Sequence, residues 1–229
     1  MSSSETKAKY GTWFDRCVYL KANSDESYLI QENDSVFNIY WFVKNLEKFA
    51  SRNTILTSDA GSNYYACSQA LDFENIRTEI TSGTFAAMGL SLPLAIGAAV
   101  EVRKTNGQVF CVTGDGSIEL NIQELQTIAN YKLPIKVFII NNGGYASMRT
   151  WQDTYFDSRY IGSTDETGAK PLNFLKIADA FNLPYVLLEN DKDFGKKMKE
   201  IIEFVGPQII EVICDSNQNL LLPMESDLV

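Results

Sequence analysis

Apolar side chains recur at three- and four-residue spacing from Ser35 onward, at Val36, Ile39, Tyr40, Phe42, Val43, Leu46 and Phe49, which predicts a helix with one apolar face. A strand over residues 54–57 comes next, and then polar turns around 58–63 and 81–84. Residues 86–103 predict a long helix whose Gly and Ala content implies close packing on a sheet. The short apolar runs 108–113 and 136–141 predict buried strands, with a helix over 121–131 between them. Further helices are predicted over 171–181 and 194–204, and further strands over 185–188 and 208–213.

Strands alternating with helices predict an α/β fold of three layers, α/β/α, around a mostly parallel sheet. A chain of 229 residues, 45% of them hydrophobic, can bury one substantial core. Residues 1–34 are polar and mixed apart from Trp13, Phe14, Val18 and Leu20, and predict a linker or N-terminal arm; residues 35–229 predict the domain. In such sheets ligands bind beyond the carboxyl ends of the strands, where loops run into helices.

Charge and composition narrow the chemistry. A net charge of -9 is a poor match for nucleic-acid phosphates or an anionic membrane surface, so neither is an expected partner. No apolar run approaches the ~20 residues that span a bilayer, and the first residues lack the apolar stretch of a signal peptide. Four scattered cysteines without a Cys-x-x-Cys pair fit reduced thiols, and a cytoplasmic location is expected. The absence of histidine excludes Ser-His-Asp and Cys-His catalysis and the usual zinc sites. Proton transfer must use carboxylates, Lys, Tyr, water or a cofactor.

Two strand ends carry candidate chemistry. The strand ending at Thr113 runs into Gly114-Asp115-Gly116-Ser117, and the next ends in Asn141-Asn142-Gly143-Gly144. Glycines let the backbone approach an anion, free N–H groups before a helix favour phosphate, and Asp115 supplies a hard oxygen for a divalent cation. Asn142 adds an amide oxygen and Gly144 an unshielded carbonyl. Either turn alone is an ordinary turn; their pairing around one helix–strand unit is what suits a diphosphate bridged by magnesium. No Gly-x-Gly-x-x-Gly comes after any strand, which disfavours a dinucleotide. Asn121 and Glu124 read independently as a helix cap with a reciprocal acidic partner.

From Gly114-Asp115-Gly116-Ser117 through Asn121-Ile122-Gln123-Glu124-Leu125 to Asn141-Asn142, the chain resembles the thiamine-diphosphate signature of the acetolactate synthase family. The resemblance implies Mg2+ held by Asp115, Asn142 and the carbonyl of Gly144. It implies a diphosphate loop at Gly61, Ser62 and Asn63, although the family has Gln-His after that glycine. Ala86 and Met88 fall in the stretch that supports the cofactor's central bend, with Met88 forcing the V shape. Gly114, Gly116, Ser117, Tyr145 and Ala146 complete the cofactor contacts it implies. Trp151, nine positions after Asn142, matches a substrate-side Trp, and Arg149 is expected to meet an anionic substrate or cofactor edge. Residues 10–21 resemble the interdomain linker and Leu222-Pro223-Met224 the C-terminal segment, so that most of 55–224 is covered.

The activity implied by this resemblance is that of a thiamine-diphosphate enzyme, which decarboxylates a 2-oxo acid, pyruvate by preference, and joins the carbanion to a second carbonyl. Simple 2-oxo acid decarboxylation, transfer to a keto-sugar, and a non-catalytic subunit that keeps the fold stay open, as does the use of FAD. The activating glutamate belongs to a pyrimidine-binding domain, so a partner domain or subunit, in a homodimer or heteromer, is expected to complete the site.

Overall fold

The computed structural model describes residues 3–22, 29–31, 35–105, 107–190, 192–218 and 220. They fall into two compact units, Met1–Ile30 and Gln31–Val229. The first contains helix α1, Ser3–Ala22, whose turns bring the Arg16 guanidinium within 5.6 Å of the Tyr19 ring centroid. Hydrophobic patterning does not signal this helix, because its apolar residues are not confined to one stripe. Leu222-Pro223-Met224 lies outside the described residues.

In the second unit the helix expected from Ser35 starts instead at Ile39, as α2, Ile39–Leu46. Asn38 caps it, accepting from the Tyr40 and Trp41 N–H groups, and Phe37 is drawn off into a parallel bridge with Cys214. After β1, Thr54–Ser58, come two elements that the pattern hides: α3, Ser62–Ala70, and β2, Ile76–Thr81. The buried face of α3 is Ser62, Asn63, Ala66, Cys67 and Ala70, small and polar rather than large and apolar. Strand β2 is an edge strand and is mostly open to solvent.

Helix α4 runs over Ser91–Val102, not from residue 86, because Ala86 (φ 43°) and Gly89 (φ 81°) take left-handed backbone that a right-handed helix cannot include. Strand β3, Val109–Gly114, leads through a short 3-10 turn to α5, Glu124–Asn130, and β4, Ile135–Asn141. Then come α6, Ala146–Tyr155; α7, Phe174–Ala180; β5, Tyr185–Leu188; α8, Phe194–Glu203; and β6, Gln208–Ile213. Asn173 starts α7 by accepting from the Lys176 N–H at 3.0 Å, which shortens the helix expected from residue 171.

The six strands are all parallel, in the order β2-β1-β3-β4-β6-β5, and helices cover both faces of the three-layer α/β/α domain. Successive side chains alternate between faces. Ile55, Val109, Cys111, Val137, Ile139 and Ile209 pack against α4, α5 and α7. On the opposite face Phe138 lies 5.5 Å from Phe110 and 5.9 Å from Phe42, and Phe194 of α8 packs among Phe37, Trp41, Phe42 and Phe49. Each fully buried aromatic contributes roughly 1.5–3 kcal/mol by burial, which fixes α2 and α8 to the sheet. Among the described residues no helix is long and apolar enough to cross a membrane.

Candidate diphosphate and metal site

A cleft of about 450 Å³ opens at the carboxyl ends of β1, β3 and β4. Ala60, Gly61, Ser62 and Asn63 enter it from β1 and the first turn of α3, Ala86 and Met88 from the loop before α4, and Gly114, Asp115, Gly116 and Ser117 from β3. Asn142, Gly144, Tyr145, Ala146 and Trp151 enter from β4 and α6. The structure therefore brings every cofactor and metal candidate named from the sequence, and Trp151, to one cleft. A larger cavity of about 680 Å³ lies at the other end of the sheet, beside Lys136 and Gly206, and has none of the strand-end loops.

Asp115 is 1% exposed and organises the floor. One carboxylate oxygen accepts the Gly116 N–H at 2.8 Å; the other accepts the N–H groups of Asn142, 3.2 Å, and Gly144, 2.8 Å. The single side chain thus sets the relation between the β3 and β4 loops. A carboxylate has about four lone-pair positions, so three N–H donors leave room for a cation. Burial pushes the Asp115 carboxyl up to about 6, against the pull of these three N–H groups and of Arg149. Gly116 makes a close approach: a Cβ on it would lie 2.4 Å from Cε1 of Tyr145, so any larger residue must displace that ring. The Tyr145 hydroxyl is itself raised by burial and by the Glu119 and Asp115 carboxylates.

Helices α3 and α6 both begin at the cleft, and neither has a side-chain capping bond at its N-terminus. Backbone N–H groups and the positive ends of two helix dipoles therefore face the same space, which is favourable ground for phosphate. Asn142 Nδ2 donates to Ser62 Oγ at 3.1 Å, joining the β4 loop to α3. Asn63 presents a buried Oδ1 with no hydrogen-bond partner among the described residues, a deficit that a ligand or water would correct. One carboxylate, one amide oxygen and one carbonyl form an all-oxygen donor set, which fits magnesium completed by phosphate and water.

Arg149 departs from its expected place. It is absent from the cleft lining, and its guanidinium donates to four backbone carbonyls: Asn142 at 2.7 Å, Ser163 and Ser216 at 2.9 Å, and Gly143 at 3.1 Å. Residues 146–149 are the first turn of α6. The cap reading of Asn121 is also overturned: its Nδ2 donates to the carbonyl of Gly89 at 2.9 Å, and α5 starts after Gln123 without a side-chain cap. Sequence reasoning missed Tyr64, Tyr65 and Thr84, which also line the cleft, as do Gly83, Ser147 and Met148. The two tyrosines are placed there by α3 starting at residue 62, and the missed helix hid them.

Residues 59–212 match the family model described as "Thiamine pyrophosphate enzyme, C-terminal TPP binding domain". The acetolactate synthase large subunit of Porphyra purpurea is 36% identical over 169 residues, covering 74% of this chain and 28% of the relative. That of Lactococcus lactis subsp. lactis is 28% identical over 218 residues, covering 95% and 36%. A probable acetolactate synthase large subunit from Methanococcus aeolicus is 31% identical over 170 residues, covering 74% and 28%. The chain spans about a third of the length of these relatives. The family match covers the three strand ends that build the cleft, and the chain belongs to the thiamine pyrophosphate enzymes, as a C-terminal TPP-binding domain.

Proposed function

We propose that this chain supplies the diphosphate- and Mg2+-holding wall of an acetolactate synthase-like active site acting on a 2-oxo acid. The observation that carries the proposal is Asp115, buried between two loops that it positions itself, under two helix N-termini without side-chain caps. Asp115, Asn142 and the Gly144 carbonyl hold the cation, and the first turns of α3 and α6 orient the diphosphate. Met88 supports the bend between the cofactor's rings, and Trp151, stacked on Tyr155 at 5.1 Å, forms part of the substrate side. When bound, thiamine diphosphate supplies the nucleophilic carbon and the electron sink for decarboxylation and carbon–carbon bond formation.

Asp115 is the one carboxylate among the described cleft-lining residues, and as a cation ligand it is unavailable for acid–base work. The activating glutamate is therefore assigned to a pyrimidine-binding domain or subunit, in a homodimer or heteromer. Phe85 and Met148, 92% and 51% exposed, flank the cleft and suit cover by such a partner. A cytoplasmic location accords with the reduced-thiol reading. The test is thermal stabilisation by thiamine diphosphate with and without Mg2+, since a ligand that binds only the folded state raises the unfolding temperature. A Mg2+-dependent rise lost in Asp115→Ala supports the reading. No rise, even with a pyrimidine-binding partner added, would sink it.

A further inference from the structure

Asp59 is 1% exposed at the end of β1 and is absent from the cleft lining, yet it gathers donors from three cleft segments. Its Oδ1 accepts the N–H groups of Ala60 and Gly89, both at 2.9 Å. Its Oδ2 accepts from Ser91 Oγ at 2.7 Å, Thr113 Oγ1 at 3.0 Å and the Ser91 N–H at 3.4 Å. From the other side, Asn121 Nδ2 donates to the Gly89 carbonyl at 2.9 Å. Gly89 is thus held at both its N–H and its C=O, by side chains from β1 and from the 3-10 turn after β3.

Gly89 cannot readily be another residue. Its φ is +81°, and a Cβ would lie 2.8 Å from Cβ of Leu120. Met88, the residue before it, lines the cleft and is only partly buried.

We propose that Asp59 and Asn121 are paired positioning residues that set where Met88 stands in the cleft, by gripping the two polar groups of Gly89. The role of Met88 toward the cofactor rests on the thiamine-diphosphate reading; the grip itself is a property of the chain alone. Neither side chain lines the cleft; Asn121 acts through Gly89, and Asp59 acts through Gly89 and also holds Ala60 beside the Gly61 loop.

Methyl NMR of the ligand-free protein with 13C-labelled methionine tests the grip, the Met88 and Met148 signals being assigned with Met88→Leu and Met148→Leu. In Asp59→Ala and Asn121→Ala the Met88 signal should shift or broaden, while Met148, on α6, stays in place. Asp59→Asn keeps one oxygen for the Gly89 N–H and can turn its amide toward the rotatable hydroxyls of Ser91 and Thr113, so it should restore the Met88 signal. Should Asp59→Ala fail to fold, the part-exposed Asn121 still gives the answer. Titration with Mg2+ plus either inorganic diphosphate or thiamine diphosphate then reads the consequence. Asn121→Ala should lose about tenfold in affinity for thiamine diphosphate, near 1.4 kcal/mol, and hold inorganic diphosphate as tightly as wild type. An unmoved Met88 signal in both Ala variants, or an equal loss for both ligands in Asn121→Ala, would overturn the proposal. Wild-type protein that binds neither ligand, with a partner present, would defeat the cofactor reading while the methyl spectra still decide the grip.

Discussion

Lys136 Nζ donates to the backbone carbonyl of Phe204 at 2.7 Å and lies 4.9 Å from the centroid of that same residue's ring. It also donates to the Gly206 carbonyl at 3.1 Å, so a buried ammonium closes the C-terminal end of α8. A cation at this end of a helix is favourably placed against the dipole. Burial nevertheless lowers its pKa to about 8. An unfolded lysine titrates near 10.4, so between pH 8 and 10 the unfolded chain binds more protons, and stability rises with pH across that window. Urea melts should show wild type gaining on the order of 1–3 kcal/mol relative to Lys136→Met between pH 7.5 and 10. A constant difference would contradict the assignment.

Asp115 has the opposite titration. Its carboxyl, raised to about 6, keeps a proton that an unfolded aspartate releases near pH 3.9, so the metal-free fold loses stability as pH rises from 4 to 6. Above pH 6 the whole penalty, about 3 kcal/mol, is present, and a bound cation should relieve it. Stabilisation by millimolar Mg2+ is expected to be largest at pH 7 and to fade by pH 5. EDTA should abolish it, and Asp115→Ala should show neither the effect nor its pH dependence.

Arg149→Met should cost about 2–4 kcal/mol, because it removes the donor shared by four carbonyls of residues 142, 143, 163 and 216. The loss is expected in denaturant melts without any ligand, together with weaker Mg2+ binding. A variant of wild-type stability with weakened ligand binding alone would restore the direct contact that the sequence suggested.

Gly116→Ala is expected to lower thiamine-diphosphate affinity by an order of magnitude, since its Cβ must displace the Tyr145 ring. Combining it with Tyr145→Ala should recover part of that loss. Isothermal titration of the two single variants and the double variant measures the coupling directly.

Glu47 is buried and accepts the N–H groups of Asp72, Glu74 and Asn75 at 2.8, 2.7 and 3.3 Å, pinning the turn that leads into β2. Glu47→Ala should destabilise the fold by roughly 2 kcal/mol or more and leave the affinity for inorganic diphosphate unchanged. Parallel chemical denaturation and diphosphate titration would separate the two.

The central strands and α2, α4 and α8 were legible because each presents a continuous or periodic apolar face. Helix α3 was not, because it meets the sheet with Ser62, Asn63 and Ala66, and α6 was not, because it has no fully buried side chain. The β3 and β4 loops were readable as chemistry because turn residues at a strand end report a local geometry. The roles of Arg149 and Asn121 were not: each bonds backbone distant in sequence, Ser216 for one and Gly89 for the other. Spacing along the chain is silent about such partners.

The sheet order places β3 between β1 and β4. Neighbouring strands stand about 4.8 Å apart, so the loops of β1 and β4 flank the Gly-Asp-Gly turn at a span close to 10 Å that the ladder hydrogen bonds dictate. The spacing of the three strand-end loops is therefore set by the ladder of the sheet, and Asp115 fixes the β3 and β4 loops within it. Helix α6 is moored to the same frame at both ends, by Arg149 to the carbonyls of residues 142, 143, 163 and 216 and by Gln152 to Ile161 and Ser163, so Trp151 is carried on a wall of fixed gauge.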